Sequence, residues 1–454
     1  MDYRNLIENQ RTFFQQGGTS DIKLRKRYLS RVKIIIKQEE QKILDALASD
    51  LHKNNFEAYM SEVGLVLDEI GYILRHMERW AKPKRVRTPL TQFPAKSFIM
   101  AEPYGVVLVM APWNYPFLLC MAPLIGALCA GNTVVLKPSA YAPHTSKVIA
   151  QLLGKIFDPE YVAVVQGGRE ENEALLEHRF DYLFFTGSVE VGKIVMNRAA
   201  RFLTPVSLEL GGKSPAIVDS TADIPLAAKR IIFGKMMNAG QTCIAPDYVL
   251  ADKHIKDKLI YHMKQYLDEF FPGKDYENLP RIINEKHFHR IMGLIKDEKV
   301  IIGGKGNETT LAIEPTIVEP VGFDSPIMQE EIFGPILPIL TYHSIDEAML
   351  SIVSRPNPLA LYLFTNDKAT EDAFMRNVSF GGGCINDTIV HIATPHMGFG
   401  GVGESGMGSY HGKFSFETFT HFKGIVKRSK YLDFPFRYHP HTEKKFRLVR
   451  KLLR

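Results

Sequence analysis

Val106-Val107-Leu108-Val109-Met110 is an unbroken apolar run between Gly105 and Ala111-Pro112, and it is followed by an apolar segment from Phe117 to Ala130. The first reads as a buried strand and the second as a buried helix. The pair then repeats. Thr133-Val134-Val135-Leu136 is a second strand with a helix after Pro143, and Val162-Ala163-Val164-Val165 and Tyr182-Leu183-Phe184-Phe185 continue the pattern. Short apolar strands alternating with helices from Gly105 to Pro215 predict a parallel, doubly wound α/β sheet. Its ligand site is expected at the carboxyl ends of the strands. Asn114, Lys137, Gly187 and Ser188 fall at those ends.

Working outward, Asp21–Leu51 and Glu57–Trp80 are charged segments of helical period, so the chain is expected to open with helices. A second α/β unit is expected from Asp223 to about Asn386, and a glycine-rich stretch, Phe399–Gly408, follows it. A chain of 454 residues is too long for one core. Four cysteines without paired spacing exclude a disulfide framework and fit a reducing, cytoplasmic compartment. Met1–Gln16 is polar, so no signal peptide is expected, and Phe117–Ala130 is too short to span a bilayer. The formal charge of +6 is mild and gives no nucleic-acid face. The histidines, among them His391, His396 and His411, lack ligand spacing, so no metal is expected.

The chemistry is carried by two further stretches. Asn238-Ala239-Gly240-Gln241-Thr242-Cys243-Ile244-Ala245-Pro246 presents a cysteine in a backbone-exposing loop, and Leu208-Glu209-Leu210-Gly211-Gly212-Lys213-Ser214-Pro215 presents a carboxylate beside paired glycines. A thiol attacks carbon as the thiolate, and a carboxylate in an apolar setting has the raised pKa of a general base. In this order the two segments resemble the active-site signatures of the aldehyde dehydrogenase superfamily. Ala111–Pro116, Gln329–Pro335 and Gly406–Gly412 extend the resemblance over about residues 20–430, closest to the class 3 branch.

The resemblance implies a Rossmann-like cofactor domain (1–82 and 103–209), a second α/β catalytic domain (210–390), and a small β extension (83–102 and 391–429) that pairs two subunits as a homodimer. Residues 430–454 remain as a basic amphipathic tail. It implies oxidation of an aldehyde to an acid with NAD and/or NADP. Cys243 would attack the carbonyl, Asn114 and the Cys243 N–H would hold the oxyanion, and hydride loss would leave a thioester that Glu209 hydrolyses through water. An oxyanion donor of this kind is worth roughly 3–4 kcal/mol.

The turn Phe185-Thr186-Gly187-Ser188-Val189-Glu190-Val191-Gly192 matches the family's dinucleotide turn, where N–H groups and a helix dipole meet a pyrophosphate. By the same resemblance Lys137 meets the adenosine ribose, Glu331 and Phe333 meet the nicotinamide end, and Trp113 belongs to the cofactor site. Many members carry a glutamate where this chain has Ala140, and its absence predicts that NADP is tolerated. Tyr115, Leu118, Met237 and Thr394 are expected to line an apolar tunnel, with His411 beside it, suited to aromatic or medium- to long-chain aldehydes.

Other readings compete. A semialdehyde dehydrogenase is the nearest, a cysteine hydrolase would need a histidine partner for Cys243, and a catalytically idle structural protein would have no need of Cys243, Glu209 and Asn114 together. In the tail, Phe446, Leu448, Val449, Leu452 and Leu453 share one helical face and most basic residues the other. Docking on the dimer and peripheral contact with anionic membrane are the two roles open to it.

Overall fold

The structure, a computed structural model, describes residues 2–453 apart from the side chain of Leu452. The predicted strands are Val106–Met110, Thr133–Lys137, Val162–Val164 and Tyr182–Gly187, and a fifth is Val206–Leu210. All five run parallel. Across the sheet, Val206–Leu210 lies beside Tyr182–Gly187, followed by Val106–Met110, Thr133–Lys137 and Val162–Val164. The chain therefore winds away from Val106–Met110 in one direction, then returns and winds in the other. The switch point of this Rossmann-like sheet lies between Val106–Met110 and Tyr182–Gly187.

Every residue of Val106–Met110 and Thr133–Lys137 is buried, because helices cover both faces, which is why neither strand alternates apolar with polar. The crossover helix Leu118–Ala130 is buried at all 13 positions. A short antiparallel strand, Gly406–Met407, completes one edge and pairs Gly406 with Glu209.

The helical opening has two interruptions. The first segment breaks at Glu39 into Ile22–Gln38 and Glu40–Leu51, and the second starts at Asn55 and passes through a π-helical turn, Tyr59–Val63, before Gly64–Trp80. Such wide turns recur at functional sites. Glu57, just before this turn, reaches the cysteine loop at Asn238, and Glu62, within it, reaches Lys53 and the start of the crossover helix.

The second sheet has seven strands in the order Val300–Ile302, Thr316–Val318, Ile336–Tyr342, Tyr248–Asp252, Pro215–Val218, Ala360–Phe364 and Gly382–Ile385. Only Val300–Ile302 is antiparallel to its neighbour. This sheet starts at Pro215, earlier than the expected Asp223, because Gly211-Gly212 lets the chain leave one sheet and enter the next within a few residues. A third sheet joins Lys84–Val86, Ala95–Pro103 and Thr420–Arg428, with the last two paired from Thr420↔Pro103 to Arg428↔Ala95. The helix Glu443–Leu452 closes the chain.

Candidate active site

A cavity of about 550 Å³ opens between the two large sheets, and Cys243, Glu209, Asn114, Gly187, Ser188, Glu331 and Phe333 all line it. Residues far apart in sequence converge there because the switch point of one sheet faces the loop that precedes Tyr248–Asp252.

That loop is held in an unusual shape. Asn238, Ala239 and Gly240 have φ of 51°, 51° and 73°, a left-handed run that costs a non-glycine residue roughly 1–2 kcal/mol. Gly240 is obligatory, since a Cβ there would lie 2.2 Å from the Gly334 carbonyl oxygen. Surrounding bonds over-determine the strained turn. The Asn238 N–H donates to Glu57 Oε1 (2.7 Å), and its Nδ2 donates to the carbonyls of Asn114 (2.7 Å) and Gln241 (3.1 Å). Gln241 Nε2 donates to the carbonyls of Asn238 and Arg281, and its Oε1 accepts from Ile283.

The environment of the two reactive groups is dry. Both carboxylate oxygens of Glu209 are buried without a hydrogen-bond partner, and burial raises its pKa well above the usual carboxylate range. Burial likewise pushes the Cys243 thiol up, and the charges of Glu331 and Glu209 add to it, while the N–H groups of Cys243 and Ile244 oppose them. Burial thus favours the neutral thiol, so a proton must leave before the sulfur can act as a nucleophile. Glu331 is pushed up to about 8, first by burial and then by Asp247.

Asn114 is 3 % exposed, and its Nδ2 donates to the Gln241 carbonyl at 3.0 Å, which fixes the amide plane beside the cysteine loop. The Tyr115 hydroxyl bonds Thr242 Oγ1 at 2.7 Å. Sequence reasoning missed the support beneath them. The Lys53 ammonium pairs with Glu62 Oε1 at 2.6 Å with both side chains fully buried. It also donates to the Asn114 carbonyl (3.1 Å) and sits 4.0 Å from the Tyr115 ring centroid. Glu62 Oε2 accepts the N–H groups of Phe117 (2.8 Å) and Leu118 (3.1 Å), capping the crossover helix. No local motif marks these residues.

Lys53→Met leaves Glu62 buried and unpaired, and the expected cost is about 3–5 kcal/mol of folding stability. Chemical denaturation reads this loss. The double variant Lys53→Met/Glu62→Gln should recover a large part of it, which a merely steric effect would not.

The cofactor side is shaped for a dinucleotide. The helix Val189–Ala200 begins at the switch point with Ser188 as its cap, Ser188 Oγ accepting from Val191 N–H. Gly192 does not line the cavity. It lets this helix approach the sheet, since a Cβ there would lie 2.6 Å from Leu210 Cδ2. Lys137 is not among the residues that line the cavity; its Nζ donates to the carbonyls of Pro138 (2.9 Å) and Gly167 (2.6 Å), which leaves a third hydrogen for a ligand. Glu331 packs on bare backbone, for a Cβ on Gly211 would fall 2.0 Å from its Oε2. Phe333, at φ 52°, meets Trp113 edge-on at 5.3 Å.

The Glu331 loop is anchored from below. Lys213, of the Gly-Gly-Lys motif, pairs with Asp247 at 2.5 Å and donates to the carbonyls of Ile327 and Glu330, while Asp247 accepts from Ile332 N–H. Fully buried Lys235 lies 3.9 Å from Asp247, and burial brings its pKa down to about 8. Arg290 also lines the cavity, but its guanidinium donates to the carbonyls of Glu331 and Ile332.

Tyr115, Leu118 and Met237 line the cavity as expected. Thr394 and His411 do not. They line a small adjoining cavity with Leu65, Glu69 and Ile392, because the backbone turns at His411 (φ 84°) and Glu69 receives the Gly412 N–H at 2.7 Å.

A cavity at the switch point of a Rossmann-like sheet, shared by a cysteine and a dry carboxylate, has the architecture of an NAD(P)-dependent dehydrogenase. The model of the aldehyde dehydrogenase family matches residues 1–425. The chain is 50% identical over 438 residues to the 4,4'-diaponeurosporen-aldehyde dehydrogenase of Staphylococcus aureus, covering 94% of this chain and 95% of that one. It is 45% identical over 456 residues to aldehyde dehydrogenase family 3 member H1 of Arabidopsis thaliana, covering 99% and 94%. The solved structure of substrate-bound Staphylococcus aureus AldH superposes with a TM-score of 0.98 at 47% identity, covering 100% of both chains. The chain belongs to the aldehyde dehydrogenase family, in its class 3 branch, and oxidises aldehydes to acids with NAD(P).

Proposed function

We propose that Cys243 is the nucleophile, Glu209 the general base and Asn114 an oxyanion donor in the oxidation of medium- to long-chain or aromatic aldehydes. The observation that carries this reading is the single cavity in which all three meet a mostly apolar wall. Cys243 loses its proton to a carboxylate and attacks the carbonyl. The oxyanion is received by the Cys243 N–H and the free Nδ2 hydrogen of Asn114. NAD(P)⁺ held at this site would supply the hydride acceptor for that carbon. Glu209 then removes a proton from water, which attacks the resulting thioester and releases the acid.

In this reading Lys137, Ser188, Gly187, Glu331, Phe333 and Trp113 hold the cofactor, Gly192 sets the helix close to the sheet, and Tyr115, Leu118 and Met237 hold the substrate. The lining arginine, Arg290, is committed to backbone carbonyls, which argues against diacid semialdehydes. A relative named for 4,4'-diaponeurosporen-aldehyde supports a long apolar substrate. Among the described residues no histidine bonds Cys243, which disfavours a cysteine hydrolase. A panel of aldehydes of increasing chain length, with kcat/KM rising with apolar length and falling for semialdehydes, tests the assignment.

Residues 1–82 and 103–209 would form the cofactor domain, 210–390 the catalytic domain, and 83–102 with 391–429 the homodimer contact. Strand Thr420–Arg428 is paired on one side only, and its free edge supports that last role. Four free cysteines fit a cytoplasmic setting; no helix among the described residues is long and apolar enough to cross a membrane.

Ala140 is exposed at the ribose end. With no carboxylate there to repel a 2′-phosphate, NADP is expected to support kcat/KM within about tenfold of NAD, a gap of roughly 1.4 kcal/mol. Ala140→Glu should shift the ratio toward NAD. Paired initial-rate measurements with the two cofactors check both outcomes.

A further inference from the structure

The positive charge of this chain is concentrated at its end. Residues 420–454 hold eleven Lys and Arg against two Asp and Glu, a net +9, whereas the whole chain is +6, so the remaining residues are net −3. Within this region the helix Glu443–Leu452 separates its residues by chemistry. At 100° per residue, Lys444, Arg447, Arg450 and Lys451 fall on one face, and Phe446, Leu448 and Val449 on another. Lys445 is the exception on the apolar side, and it turns back to donate to the carbonyls of Tyr438 and Pro440. Arg454 and the side chain of Leu452 lie outside the described residues.

The apolar face is not covered by the chain itself. Phe446 is 58% exposed, Leu453 72% and the preceding Tyr431 87%. Among the described residues, the hydrogen bonds and ion pairs of 430–453 all close within 428–453.

We propose that residues 430–453 are a docking element for an anionic lipid surface. The helix lies in the headgroup plane with Phe446, Leu448 and Val449 in the acyl boundary and the basic face toward lipid phosphates. Tyr431 and Tyr438 are aromatic residues of the kind that settle at that interface. Ten helical residues reach only about 15 Å, half of the hydrocarbon thickness, so the segment rests on the bilayer and does not cross it. A second copy of the chain is the weaker partner. Residues 430–453 hold seven Lys and Arg against two Asp and Glu, a net +5, so the rest of a second copy is itself net +1 and has no excess negative charge to neutralise them.

The test uses the full-length protein with phosphatidylcholine vesicles, with and without phosphatidylglycerol, at low and high salt. Sedimentation with the anionic vesicles alone is expected, reduced at least about tenfold by high salt. Truncation after Pro440, the triple variant Arg447→Glu/Arg450→Glu/Lys451→Glu, and Phe446→Ser should each lose it, while oxidation of a short soluble aldehyde persists and reports an intact fold. Equal binding to neutral vesicles, or anionic binding that survives truncation, would overturn the proposal. So would absent vesicle binding, including the case in which truncation instead changes the subunit mass in sedimentation velocity.

Discussion

Cys243→Ala is expected to abolish aldehyde oxidation, with a fall in kcat on the order of 10⁴-fold or more, the scale of removing a covalent nucleophile. The expectation follows from the position of Cys243 in a loop whose backbone is strained at Asn238 and Ala239 and pinned by Glu57, Asn114 and Arg281. A loop fixed this firmly does not bring a substitute group forward. The other cysteines cannot replace it. Cys120, Cys129 and Cys384 do not line the cavity, and Cys384 lies against His391 at 3.6 Å. Any esterase activity should vanish in parallel, because it would use the same thiol. Near-normal turnover by the variant, measured as NAD(P)H formation at 340 nm, would refute the mechanism.

Glu209→Gln is expected to give a different phenotype, with a steady-state rate lower by roughly 10²–10⁴-fold, the usual contribution of a general base. A single-turnover burst of NAD(P)H should survive in it, since oxidation precedes hydrolysis of the thioester. The carboxylate has no hydrogen-bond partner, so the amide replaces it without breaking a protein contact. The pH profile adds a signed test. Burial raises the Glu209 pKa, so its carboxyl holds its proton over a wider acidic range and cannot accept one from water there. Thioester hydrolysis in the wild type should rise with pH through that raised pKa, and the rise should be missing from Glu209→Gln. Rapid-quench or stopped-flow separation of burst and steady state reads both effects.

Much of this was legible from residues alone. The apolar runs at 106–110, 133–136, 162–165 and 182–185 specified a parallel sheet, because a strand covered on both faces must be apolar throughout. The motifs around Glu209 and Cys243 marked the chemistry, because their glycines meet steric demands: a Cβ at Gly240 or Gly211 would strike the Gly334 carbonyl or the Glu331 carboxylate. The tail helix was visible from its period. A local apolar period is a property of neighbouring residues, and a sequence records it directly.

Contacts between distant segments were not legible. The π-helical turn at Tyr59–Val63, the buried Lys53–Glu62 pair beneath Asn114, and the Glu57 bond to Asn238 join residues separated by as many as 181 positions. Only packing of the helical opening against both sheets brings them together. The same packing moved Thr394 and His411 into a side cavity and set the start of the second sheet at Pro215. It also fixed the protonation of Cys243, Glu209 and Glu331, since those pKa shifts arise from burial and through-space charge. The sequence by itself marked which groups are candidates for the chemistry. The tertiary structure decided their electrostatic state and what holds them, because desolvation and Coulomb interactions depend on distance in space and not on order along the chain.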